Sequence, residues 1–188
     1  MSGHSRWAQI KHKKAATDAK KGKLFSRLSR IITLAAKSPP AGGDPDPKTN
    51  PKLAAAVEEA RKANMPSDNI ERAIGRAKDK EASELKEVSY EAYGPGGTAL
   101  IVNAVTDNPN RTTNEIKRLL AEHGAKLGEM GSAMWAFEKR DGDFIAKFPM
   151  TLAPADEKNF EALLEALSEQ DDVENVWANA DLPAGGQG

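Results

Sequence analysis

Histidine is the side chain most often used to move protons near neutral pH, and this chain has three, His4, His12 and His123. None stands at a spacing that joins it to a serine and a carboxylate as a triad, or to a second histidine as HExxH. His123 precedes Gly124 at the end of an apolar-periodic segment, where an imidazolium meets the negative end of a helix dipole, so its expected role is structural. The neighbouring acids Asp171 with Asp172 and Glu58 with Glu59 belong to a chain with 28 Asp and Glu. They read as solvated faces with no catalytic signal. Cysteine is absent, which removes thiolate nucleophiles, disulfides, redox motifs and cysteine-ligated zinc together. The reading is a non-enzyme with no cofactor, no metal and no small-molecule substrate.

The chemistry that remains is charge. Residues 3–30 hold nine cations, Arg6, Lys11, Lys13, Lys14, Lys20, Lys21, Lys23, Arg27 and Arg30, against one acid, Asp18. A solvated helix face mixes signs, whereas this ratio suits contacts to nucleic-acid phosphates. These nine are the candidate nucleic-acid-binding residues. Lys20, Lys23, Arg27 and Arg30 stand three and four apart, which predicts a row on one helix face. Trp7 is read as packing against helices in preference to stacking on a base. The net charge of −1 hides a segregation: residues 1–37 carry ten Lys or Arg against Asp18, and residues 141–188 carry eleven acids against Lys147 and Lys158. The two segments stand at +9 and −9, so a polyanion would orient the chain with its N-terminal end docked.

The elements that must position these residues follow from periodicity. From Thr17 to Lys37 the apolar residues Leu24, Phe25, Leu28, Ile31, Ile32, Ala35 and Ala36 recur at helical spacing, with Thr17 or Asp18 as N-cap. Residues 38–51, rich in Pro, Gly and Asp, form a loop. Asn50 and Pro51 read as N-cap and first position of a second helix, to about Asn64, burying Leu53, Val57 and Ala60. A third helix uses Ile70, Ala73, Ile74 and Ala77, capped by Ser67 or Asp68 with Asp68 and Glu71 at capping-box spacing. Residues 1–80 are thus expected to be a basic arm and three-helix domain, with charged residues 78–87 as linker.

Residues 81–188 change period. Val88, Tyr90 and Ala92 alternate up to a YGPGG turn at 93–97, which lacks the GK[ST] ending of a P-loop. Residues 98–106 read as a largely buried strand. Thr112 with Glu115 suggests a capping box for a helix stopped by Gly124. Residues 134–139 and 143–148 flank an Asp141-Gly142 hairpin turn. A helix using Phe160, Leu163, Leu164 and Leu167, then a strand at 173–178, precede a flexible tail. The fold class is α+β: the helical domain, then a ferredoxin-like βαββαβ domain preceded by an extra strand.

Four segments, GHSRWAQIKHKKAATDAKKGKLFSRL at 3–28, YEAYGPGGTAL at 90–100, DNPNRT at 107–112 and GAKLGEMGSAMWAF at 124–137, in this order resemble the YebC/PmpR family. The stretch from Asp143 to Leu182 resembles that family's C-terminal strand, helix and strand. The resemblance implies a DNA-binding transcriptional regulator or a ribosome-associated factor that aids difficult peptide synthesis, as the mitochondrial activator of cytochrome oxidase translation does. It also implies a third α/β domain inserted between MWAFEKR and DFIAKFP, where this chain has the Asp141-Gly142 turn instead. No apolar run is long enough to span a membrane and no apolar signal core follows the basic start, so the expected location is the cytoplasm. The expected partners are ribosomal RNA or DNA, and through RNA the ribosome. The alternative is a protein-interaction module acting through the acidic α/β domain.

Overall fold

A computed structural model describes residues 18–37, 45–79, 85–140 and 143–181. The arm before residue 18, residues 38–44, 80–84 and 141–142, and the tail from 182 lie outside the described residues. The chain divides into two compact units, a helical one reaching residue 87 and taking in 105–109, and an α/β one built on 88–104 and residues from 110 onward.

The helical unit holds α1 (Asp18–Lys37), α2 (Pro51–Lys62) and α3 (Ser67–Gly75). The stripes read from the sequence form its core: Leu28, Ile32 and Ala36 from α1, Leu53, Val57 and Ala60 from α2, Ile70 and Ala73 from α3. Asn50 caps α2 as expected, its Oδ1 accepting from the Leu53 amide at 3.1 Å, a bond worth about 1 kcal/mol. Its Nδ2 donates to the Ala35 carbonyl at 2.8 Å and so ties the end of α1 to the start of α2. The expected cap of α3 is not formed. Pro66 occupies that position with no side-chain cap bond, because its fixed φ of −58° starts the helix one residue early and places Ser67 inside it. Asp68 remains in the first turn, where its charge complements the dipole.

The α/β unit contains β1 (Lys86–Tyr93), β2 (Ala99–Thr106), α4 (Pro109–Glu122), β3 (Lys126–Leu127), β4 (Phe137–Arg140), β5 (Asp143–Ala146), β6 (Met150–Thr151), α5 (Pro154–Glu169), β7 (Val173–Ala178) and β8 (Ala180–Asp181). β1 and β2 are joined through a tight turn in which the Gly94 amide donates to the Thr98 carbonyl at 2.8 Å. Gly96 and Gly97 sit at φ of 67° and 80°, and a side chain at Gly96 would meet Leu152 at 2.6 Å. The backbone conformation therefore favours glycine at Gly96, and a larger residue would also have to displace the end of the Leu152 side chain.

The fold class is mixed helix and sheet, with a helical N-terminal region and an antiparallel sheet domain, and the expected element order from β2 is present. The strand pairing departs from a single ferredoxin-like sheet, and β6 and β8 form a separate parallel pair. The four-stranded sheet runs β3-β1-β2-β7, and β4 and β5 pair only with each other. Two apolar clusters give the reason. Leu100, Val102 and Ala104 pack with Phe160, Leu163 and Leu167 of α5 and Ile116 and Leu120 of α4. Ala99 and Ile101 instead pack with Phe137 and Trp177. β2 is covered on both faces, so it reads as a continuous apolar run, and the hairpin serves as a second layer while β1 takes the place beside β2. The hairpin itself is present, pairing Phe137 with Ala146 through Arg140 with Asp143. Its expected first residues, Met134–Ala136, form a 3₁₀ turn instead.

Candidate nucleic-acid interface

α1 is the hub of the helical unit, with α2 and α3 both packed on it. On the α3 side, the Thr33 hydroxyl donates to the Ala73 carbonyl at 2.8 Å in the interior. The cations of α1 differ in exposure. Lys21 and Lys23 are exposed. Arg27 is buried, with 7% of its surface accessible, and Arg30 is half-buried. Of the four cations expected in a row on one helix face, Arg27 is thus buried and Arg30 half-buried, while Lys23 is exposed. Lys20 lies in α1 but its side chain is outside the described residues, as are Arg6, Lys11, Lys13, Lys14 and Trp7.

Arg30 has neighbours from outside the N-terminal charge run. It lines a hollow of about 460 Å³ together with Arg72 of α3 and Arg76 just beyond it. Arg72 and Arg76 are four residues apart on a helical stretch, a spacing that puts both on one side. That spacing is legible in the sequence, but two arginines carry a weaker signal than the nine cations of residues 3–30.

Glu91 stands between Tyr90 and Ala92 in the alternating segment, at a position where the alternation predicts an exposed side chain. It is buried, with 7% of its surface accessible, and its carboxylate accepts from three backbone amides across the unit: Gly131 at 2.6 Å, Ala133 at 2.7 Å and Met134 at 2.9 Å. The Gly128 amide also donates to the Glu91 carbonyl at 2.8 Å. Tyr93 adds a bond to the Ser132 carbonyl and receives one from Trp135 Nε1 at 3.1 Å. The loop held in this way displays Met130, at 96% accessible, and Trp135, at 54%, the latter against exposed Phe148 with ring centroids 5.7 Å apart.

The paired acids divide. Asp171 is exposed, but Asp172 is 2% accessible, which corrects its reading as a solvated residue. Its Oδ2 accepts from Thr112 Oγ1 at 2.7 Å and Arg111 Nη2 at 3.1 Å, so the DNPNRT segment anchors α4 to the turn before β7. α4 starts at Pro109, earlier than the Thr112 cap expected, because proline suits the first helical position and leaves Thr112 free to face Asp172. His123 lies just past α4, its Nδ1 2.8 Å from the Leu119 carbonyl. Among the described residues no three His, Asp or Glu gather as a metal-holding group, and no helix is long and apolar enough to cross a membrane.

Residues 5–80 match the model of the TACO1/YebC protein N-terminal domain, and residues 85–142 match that of the TACO1/YebC second and third domain. A probable transcriptional regulatory protein of Hydrogenobaculum is 49% identical over 94% of this chain and 67% of its own. The chain belongs to the TACO1/YebC family. A probable transcriptional regulatory protein of Dictyoglomus turgidum is 55% identical over 78% of this chain and 58% of its own. The crystal structure of a conserved hypothetical protein from Aquifex aeolicus, Aq1575, superposes with a TM-score of 0.82 at 33% identity, covering 96% of this chain and 98% of that one. As a TACO1/YebC member the chain is shortened, spanning 58% of the Dictyoglomus relative. Where an inserted domain was expected for the family, Arg140 and Asp143 pair directly.

Proposed function

We propose that this chain is a non-enzymatic regulator of gene expression that binds the phosphate backbone of a nucleic acid through its basic N-terminal segment and helical unit. The observation that carries the reading is the charge of residues 1–37, ten Lys or Arg against Asp18, with Lys21 and Lys23 exposed on α1. The names of the Dictyoglomus and Hydrogenobaculum relatives support a regulatory role. Two side chains with chemistry of their own have structural partners among the described residues. His123 is engaged with a helix-end carbonyl, and Asp172 is held by Arg111 and Thr112. Phosphate contacts do not tell RNA from DNA; the resemblance to ribosome-associated factors favours ribosomal RNA as the target.

The test is binding of the full chain and its Lys21→Gln/Lys23→Gln variant to ribosomal RNA and to a promoter duplex over graded salt. Each lost contact should flatten the slope of log affinity against log salt by about 0.7 on single strands and about 0.9 on duplex. Sedimentation with ribosomes should exceed duplex binding at equal salt. A variant slope equal to that of the unsubstituted chain would remove α1 from the interface.

A protein-interaction module is the second reading, and the exposed Met130, Met134, Trp135 and Phe148 are the observation that favours it, since clustered apolar surface marks association sites. Partner capture that depends on Trp135 and is indifferent to Lys21 and Lys23 would promote it.

A further inference from the structure

We infer that the hollow between α1 and α3 is a subsite for one backbone phosphodiester of the bound nucleic acid, with Arg30, Arg72 and Arg76 as its ligands. This rests on the nucleic-acid reading and gives it a place in the fold. All residues lining the hollow belong to the helical unit. Its volume of about 460 Å³ falls within the roughly 300–1,000 Å³ of clefts that seat small ligands, so it admits a nucleotide unit and not water alone. Three arginines line it against two carboxylates, Asp79 and Asp107, which leaves one net positive charge. That balance suits the single negative charge of a phosphodiester and disfavours a free triphosphate. Guanidinium groups recognise phosphate oxygens by paired donors, and Arg72 is already oriented by its Nη1 bond to Asn69 Oδ1 at 3.2 Å. The two walls are held in register by the buried bond from Thr33 to the Ala73 carbonyl.

Gly22 is the second, independent observation. It lines the same hollow from within α1, where glycine weakens a helix relative to alanine. A Cβ there would meet nothing within 4 Å among the described residues, so no described neighbour demands its absence. A bare backbone at the rim of an arginine-lined hollow gives a nucleic-acid strand close passage.

The experiment measures binding of a fluorescein-labelled single-stranded RNA of mixed sequence, over graded salt, to the full chain and to three variants: Arg72→Gln/Arg76→Gln, Gly22→Ala and Lys21→Gln/Lys23→Gln. Arg72 and Arg76 are exposed, so their exchange leaves the core intact, and a melting curve verifies this. The subsite requires the arginine variant to bind more weakly, with a salt slope flatter by about 0.7 per lost contact. It also requires Gly22→Ala to melt at higher temperature and bind more weakly. A slope unchanged in the arginine variant but flattened in the lysine variant overturns the subsite and leaves the nucleic-acid reading standing. Gly22→Ala with higher melting temperature and undiminished binding overturns the strand path over α1. Salt-independent or absent binding by the unsubstituted chain overturns the nucleic-acid reading and the subsite together.

Discussion

Glu91 is the residue on which the α/β unit's display loop depends. A buried carboxylate facing three amide donors is stable because each bond is charge-assisted, and one such bond contributes about 1.5–3 kcal/mol. Glu91→Gln keeps the shape but turns an NH₂ toward backbone donors. We expect a loss of about 2–3 kcal/mol of stability by urea denaturation. Amide exchange should accelerate first at Gly131, Ala133 and Met134, the three donors. A variant as stable as the parent, with those amides still protected, would show that the carboxylate is not what holds the loop. Glu91 was invisible in the sequence because its partners lie about forty positions away and its place in an alternating strand matches that of a solvated residue. Asn50 was legible because its cap partner is three residues on, whereas its second bond, to Ala35, was not. The same distinction separates Lys21 and Lys23 from Arg27: spacing places all of them on α1, but only the tertiary structure decides which are exposed and which is buried.

At the scale of elements, Tyr90 joins β1 to α4, its hydroxyl 3.1 Å from Thr113 Oγ1. Burial is the main cause that raises its pKa above the ordinary phenol value; the Thr113 bond lowers it, and the charge of Asp172 raises it further. A folded pKa above the unfolded one means that the unfolded chain gives up its proton first as pH rises. Tyr90 therefore contributes stability that is intact below about pH 10 and lost as pH climbs through the folded value. Tyr90→Phe should cost about 0.5–1.5 kcal/mol at neutral pH for the missing bond. Between about pH 9 and pH 11 its denaturation midpoint should fall less than the parent's; parallel curves would contradict the burial of the phenol. Helices were the most legible elements, since the stripe of α1 and the Asn50-Pro51 start of α2 are local patterns. The sheet was legible in order but not in pairing. Nothing near Phe137 or Phe144 states that their hairpin packs across Ile101 and Trp177 instead of entering the sheet. That choice depends on β1 already occupying the edge of β2.

For the whole molecule, the organising feature is the separation of +9 over residues 1–37 from −9 over residues 141–188. Salt screens exposed charges over a Debye length of about 8 Å at physiological salt, which limits the reach of the acidic segment's repulsion of a polyanion. On the proposed reading, it biases which part of the chain meets the polyanion. α5 bears Glu157, Glu161, Glu165 and Glu169 at four-residue intervals, and a phosphate backbone gains nothing there. The most direct measurement is a photocrosslinking map of bound RNA along the full chain, with peptides identified by mass spectrometry. The account predicts crosslinks concentrated on residues 6–37 together with Arg72 and Arg76, sparse on 157–174, and spreading into 157–174 when the four glutamates are replaced by lysine. Crosslinks chiefly on 157–174 in the unsubstituted chain would contradict it.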